Sequence, residues 1–372
     1  MKYARMIMEA EAPDSLGGDY FRFNLAESSV RDRSLGELGI ELGDMCLPYG
    51  DHFGLPDLRA TIAEISADTL RAEDVLVTAG AAGALFIIST SLLQPGDHIV
   101  VGFPNYATNY ETPNAIGARV THHVQTFDGR FAIDVDAIES QVTPGTRLLS
   151  LTCPHNPSGV MFSRRELDRL VDLAERRDCW LVLDETYLEM AHGETLPVAA
   201  SLSEKVISVG SMSKTWGLPG IRVGWLITRN PGLMEGFISA KEQIGITGSI
   251  LDETVALQTL RQRDRLLPQI RREISAGFRI VKDWVEREPA VEWVQPDGGV
   301  TCCLRIPSAS DGQMRRFYDT LKVSYRTAVG PGYWFKLPLN QMRIGYGWSS
   351  PEETAKGLEC ISLAMRECLA SR

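Results

Sequence analysis

The stretch from 210 to 225 holds the residues best suited to chemistry. It reads Gly210-Ser211-Met212-Ser213-Lys214-Thr215-Trp216-Gly217-Leu218-Pro219-Gly220-Ile221-Arg222-Val223-Gly224-Trp225. Lys214 follows an apolar run, 205–209 (KVISV), and sits among small residues. A neutral lysine amine at such a strand end is a nucleophile towards a carbonyl. Ser211, Ser213 and Arg222 add two hydroxyls and a planar guanidinium, a donor set that suits a phosphate. A single loop lysine is ordinarily a solvated surface residue. Two serines just before it, and an arginine eight residues on, make a more specific pattern.

Four other apolar runs end in residues of interest. After 74–79 (DVLVTA) comes Gly80-Ala81-Ala82-Gly83, which opens a helix. Small residues there let backbone N–H groups approach an anion, or simply make a tight strand–helix turn. After 98–103 (HIVVGF) comes Pro104-Asn105-Tyr106, with Tyr110 beyond. Tyr106 can stack on a planar ring or serve as a core aromatic. After 148–153 (LLSLTC) the rigid turn Pro154-His155-Asn156-Pro157-Ser158-Gly159 presents Asn156, which can face a ligand or bond its own backbone. His155 reads as structural. The run 180–183 (WLVL) ends in Asp184-Glu185-Thr186-Tyr187. Burying that first carboxylate is costly without a cation such as a protonated ring nitrogen. Otherwise it caps the next helix.

The elements that must position these groups alternate. Apolar runs without polar alternation suit strands buried on both faces of a parallel sheet. Helical patterns lie between them, at 83–93 and 163–176, the latter with a capping box of Ser163 and Glu166. This is an α/β pattern with a large, doubly wound, mostly parallel sheet. After about residue 252 the texture shifts to a long charged helix over 253–288, strands at 291–294 and 300–305, and a last helix from Pro351. That predicts a smaller α+β domain. We expect an N-terminal arm at 1–45, a large domain at 46–270 and a small domain at 271–372.

The 372 residues are 44% hydrophobic and 23% charged, ordinary for a globular protein. A net charge of −10 argues against a nucleic-acid footprint. Seven scattered cysteines without C-x-x-C spacing read as free thiols of a reducing compartment, and no metal site is expected. No window approaches the ~18 apolar residues of a membrane span, and residues 1–12 lack a signal-peptide core. A cytoplasmic location is expected.

The stretch 211–225 resembles the lysine region of pyridoxal-phosphate (PLP) aminotransferases of classes I and II, fold type I. Other segments resemble that family in its order. They are Tyr49-Gly50-Asp51 with Gly54 to Arg59, Asn156-Pro157-Ser158-Gly159, Asp184-Glu185-Thr186-Tyr187 and Met342-Arg343-Ile344. The resemblance implies PLP held on Lys214 as a Schiff base, with Lys214 also moving the substrate α-proton. It implies Asp184 on the pyridine nitrogen, Asn156 and Tyr187 on the phenolate oxygen, and Tyr106 against the ring. Ala81, Ala82, Ser211, Ser213 and Arg222 would hold the phosphate, joined by Tyr49 of a neighbouring subunit in a homodimer. Arg343 would clamp the substrate α-carboxylate, with Asn156 beside it.

The sequence departs from the family at Phe23-Asn24-Leu25-Ala26-Glu27-Ser28-Ser29, where a glycine-containing stretch is common. Glu27 faces a substrate cation or is a solvated helix-start residue; His52 beside Asp51 is a second polar place. The expected reaction is transfer of an amino group from an L-amino acid to a 2-oxo acid. The alternative is elimination and cyclisation of an arginine-like amino acid, as in capreomycidine synthase-like enzymes. A non-catalytic PLP-fold regulator is disfavoured, because Lys214, Asp184 and Arg343 are all present.

Overall fold

Seven strands form one sheet in the order Val75–Ala79, Val223–Ile227, Val206–Ser211, Trp180–Asp184, Thr146–Thr152, His98–Phe103 and Arg119–Val124. The computed structural model describes residues 2–3, 5–17 and 20–369. All neighbours pair in parallel except Val223–Ile227, which runs antiparallel to both of its partners.

Alternate residues of the central strands point to opposite faces, and both faces are buried. Ile99, Val101, Val182 and Ile207 pack with the helix Gly80–Leu92 through Leu85 and Ile88. Val100, Leu149, Leu181 and Leu183 pack with the helix Arg164–Arg177 through Leu167, Leu170 and Ala174. Full burial of one such side chain is worth about 1.5–3 kcal/mol over exposure. That is why these strands read as unbroken apolar runs. Ser163 caps the second helix with the reciprocal Glu166 contact expected from the sequence.

A second, antiparallel sheet has the order Gly330–Pro331, Gln341–Gly345, Thr301–Arg305, Glu292–Val294. The short strand Phe23–Asn24 pairs in parallel with Thr327–Ala328. The beginning of the chain is thereby tied to its C-terminal third. The division expected at 270/271 lies inside the helix Arg263–Arg287.

Two expectations need correction. The helix placed at 83–93 begins earlier, at Gly80, straight from the strand. The single helix drawn over 253–288 is two, Ile250–Leu260 and Arg263–Arg287. The chain turns at Gln262, whose side chain donates to the Leu38 carbonyl at 3.0 Å. No Gly or Pro marks this break; a tertiary contact holds it. The strands Arg119–Val124 and Val223–Ile227 carried no recognised signal. The first is a half-exposed edge, and the second is interrupted in pattern by Gly224 and Trp225.

Candidate active site

The carboxyl ends of the central strands and one cavity of about 340 Å³ coincide. From Val206–Ser211 and the loop after it come Ser211, Ser213 and Lys214; from Trp180–Asp184 come Asp184 and then Tyr187. Asn156 follows Thr146–Thr152, and Tyr106 follows His98–Phe103. Ala81 and Ala82 enter in the first turn of the helix Gly80–Leu92, and Arg222 and Arg343 complete the lining. In a doubly wound sheet this edge is where ligands bind.

The floor is built by close backbone approach. A Cβ on Gly224 would sit 2.4 Å from the Gly80 carbonyl carbon and 2.5 Å from the Ala81 nitrogen. Gly80 itself has φ +72, and a Cβ there would meet Arg222 Nη2 at 2.6 Å. Glycine at both places lets the helix start against the strand, with Arg222 beside it. The Arg222 guanidinium donates to the Pro219 carbonyl at 2.7 Å through Nη1.

The polar groups are partly matched. Lys214 Nζ donates to Ser28 Oγ at 3.1 Å. Asp184 is buried; its Oδ1 accepts from Thr186 N at 3.1 Å and Thr186 Oγ1 at 2.6 Å. Burial pushes its carboxyl above the ordinary carboxylate range, against those two hydrogen bonds and the Lys214 charge. No cation among the described residues bonds to it. Arg343 is buried as well: Nη1 donates to Asn156 Oδ1 at 3.0 Å and Nη2 to the Ala26 carbonyl at 2.6 Å. Its Nε is buried without a partner. Such an orphaned donor is costly, and an anion in the cavity would relieve it.

Glu27 and His52 lie outside this cavity, and Tyr49, expected at the phosphate of a neighbouring subunit, is on the surface. Tyr49 is 85% exposed and does not line the cavity of its own chain. Glu27 does not line it either; its Oε2 accepts from Ser28 N at 3.3 Å. His52 points to Glu242, with Nδ1 2.5 Å from Oε1, outside the cavity. His155 is structural, as expected: Nδ1 pairs with Ser158 Oγ at 2.7 Å and Nε2 with the Pro104 carbonyl at 2.8 Å. All seven cysteines are unpaired.

Sequence reasoning missed Glu9, Ser28, Asn105, Thr152 and Thr186, which also line the cavity. Asn105 and Thr186 lie inside motifs that were read, beside residues with a more evident chemical role. Asn105 Oδ1 accepts from Tyr106 N at 2.7 Å and Thr152 Oγ1 at 2.9 Å, which fixes the turn carrying Tyr106. Ser28 lies beside Glu27 in the departing segment that was read, whereas Glu9 arrives from farther towards the N-terminus and no spacing points to it.

Fold and cavity together define a PLP-dependent enzyme of the aspartate aminotransferase-like type. A family model described as aminotransferase class I and II matches residues 26–361, and the chain belongs to that family. It is 29% identical to capreomycidine synthase of Streptomyces vinaceus over 367 residues, covering 95% of this chain and 92% of that protein. It is 30% identical to the arginine–pyruvate transaminase AruH of Pseudomonas aeruginosa, covering 69% and 67%. Among solved structures, a PLP-dependent aminotransferase from Streptococcus suis superposes with a TM-score of 0.92 at 26% identity, covering 100% of both chains. The PLP-dependent cyclase OrfR superposes with a TM-score of 0.89 at 28% identity, covering 99% of this chain and 98% of the other.

Proposed function

We propose that this chain binds PLP through Lys214 and transfers the amino group of an L-amino acid to a 2-oxo acid. The observation that carries the reading is the buried Asp184 carboxylate without a cationic partner, sharing one cavity with Lys214, Arg222 and Arg343. Those charges complement a pyridine nitrogen, an aldehyde, a phosphate and a substrate carboxylate in turn. When bound, PLP supplies the electron sink for bond cleavage at the substrate Cα.

The chain's own residues do the rest. Arg343 offers a pre-organised fork for the α-carboxylate, held by Asn156 and the Ala26 carbonyl. Lys214 Nζ takes the α-proton and returns one. Ser28, 3.1 Å from Nζ, orients the amine. Ser211, Ser213 and the first N–H groups at Ala81 and Ala82 bind the phosphate with Arg222. Tyr106 covers the ring and, with Asn156 and Tyr187, sets its orientation. We retain the division into an arm (1–45), a large domain (46–270) and a small domain (271–372), and a cytoplasmic setting, supported by the unpaired cysteines. Among the described residues no helix is long and apolar enough to cross a membrane.

The homodimer belongs to the same reading. A second hollow of about 380 Å³, lined by Gly83, Ile221, Lys241 and Ile244, shares Arg222 with the cofactor cavity. Leu47, Tyr49, Ile244 and Ile246 are all more than half exposed. A second copy would cover such apolar surface and bring its Tyr49 to the phosphate.

The test is spectroscopic. Protein incubated with PLP should turn yellow, bleach with borohydride and retain the label covalently; Lys214→Ala should do neither. Protein that takes up no PLP ends this reading. A panel of amino acids, with and without an oxo-acid acceptor, then separates the reactions. Turnover that needs no acceptor favours elimination with cyclisation, which the likeness to capreomycidine synthase and to OrfR supports as the second reading.

A further inference from the structure

The cavity holds one carboxylate that the proposed function leaves without a task. Asp184, Lys214, Arg222 and Arg343 are each matched to the cofactor or to the substrate carboxylate. Glu9 lines the same cavity from the helix Ile7–Glu11, with Met8 beside it. Its carboxylate makes no hydrogen bond or ion pair with a described residue. It is exposed on the solvent side of the cavity, whose lining also holds Tyr106 and Arg343. It therefore shares one cavity with the ring cover and the carboxylate clamp.

Its place is held by neighbours. Two residues along, Glu11 Oε2 accepts from Tyr333 Oη at 2.6 Å and from Trp334 Nε1 at 2.8 Å. The next residue, Phe335, lies under the Arg343 guanidinium, 4.9 Å from ring centroid to Cζ. Glu11 thus pins the helix to the segment that supports the carboxylate clamp, and Glu9 is set at a fixed reach from that clamp. Met8 adds an adaptable apolar surface for a methylene chain. An unpaired carboxylate at the mouth of this cavity favours a cation.

We propose that Glu9 recognises the cationic end of the substrate side chain, so that the enzyme selects basic L-amino acids. This rests on the proposed function, and holds for transfer and for cyclisation alike. Glu9 would be a specificity residue that leaves the bond-breaking step to Lys214.

The test is equilibrium titration of the PLP-loaded protein, followed by the cofactor absorbance, with L-arginine, L-lysine, L-norleucine and L-glutamate. L-Arginine or L-lysine should bind about tenfold more tightly than L-norleucine, the scale of one charge-assisted contact. In Glu9→Gln that ratio should fall towards one, and Glu9→Lys should shift preference to L-glutamate. A parent protein without cationic preference, or a Glu9→Gln protein that keeps it, overturns the proposal while leaving the amino-acid enzyme intact. If no amino acid perturbs the spectrum of the loaded protein, the functional reading itself fails, and this inference with it.

Discussion

Glu185 and His155 flank the chemical groups and titrate in opposite senses. Burial pushes the Glu185 carboxyl up to about 7, against hydrogen bonds from Ser208 and Ala199 N. Burial pushes the His155 imidazole down to about 4. For Glu185, the unfolded chain loses its proton near 4.5 and the folded chain near 7. Across that window the folded state holds more protons, so this group's contribution to stability falls as pH rises. For His155 the unfolded chain gains a proton near 6.5 and the folded chain only near 4. Its contribution is full above 6.5 and is lost as pH falls towards 4. The two slopes offset each other. Glu185→Gln should therefore be more stable relative to the parent at pH 7 than at pH 4.5, and His155→Gln should show the reverse trend. Urea unfolding of cofactor-free protein at pH 4.5, 5.5 and 7 reads this out; stability curves parallel to the parent's would contradict it. At this scale the sequence was legible where a motif marks a strand end. Lys214, Asp184 and Asn156 stand within five residues of the ends of buried runs, and the cavity holds all three. Glu27 was the further acid that the sequence suggested, but it is Glu9 that lines the cavity alongside Asp184.

At the scale of elements, the approach of the strand Val223–Ile227 to the start of the helix Gly80–Leu92 matters most. Gly224→Ala would place a methyl group against backbone atoms of Gly80 and Ala81, which cannot move as a side chain can. We expect PLP affinity to drop at least tenfold and stability to fall by about 1–3 kcal/mol, the usual range for overpacking. Ser163→Ala is the control. It removes the capping box of Arg164–Arg177, on the far side of the sheet from that helix, and should cost about 1 kcal/mol. Its PLP affinity should match the parent's. Equal losses of PLP in both variants would show that affinity follows stability alone. Local patterns revealed Arg164–Arg177 nearly to the residue, because cap and apolar stripe lie within one turn of each other. They did not reveal the break at Gln262, which depends on the Leu38 carbonyl more than 200 residues away.

At the scale of the whole molecule, Tyr49 decides between one chain and two. It is exposed in its own chain, and its proposed target is a phosphate held by another. Two inactive variants, one at Tyr49 (Tyr49→Ala) and one at Lys214 (Lys214→Ala), should then complement each other. After mixing and subunit exchange, half of the dimers are mixed, and each mixed dimer has one intact site. About a quarter of the parent activity should return in a two-fold assembly with shared sites. Mixtures that stay inactive, although sedimentation shows that the subunits have exchanged, would place Tyr49 outside the partner's site.

The sequence by itself determined the layered α/β sheet and the order of groups along its carboxyl edge. Both arise from local physics: unbroken apolar runs must be buried on two faces, and the residues just after each parallel run must emerge at the same edge. The lysine, its serines and its arginine are therefore readable without coordinates. Only the tertiary structure brought Glu9 to the cavity. The N-terminal segment is held there by Glu11 on Tyr333 and Trp334, a contact between distant parts of the chain that no periodicity encodes.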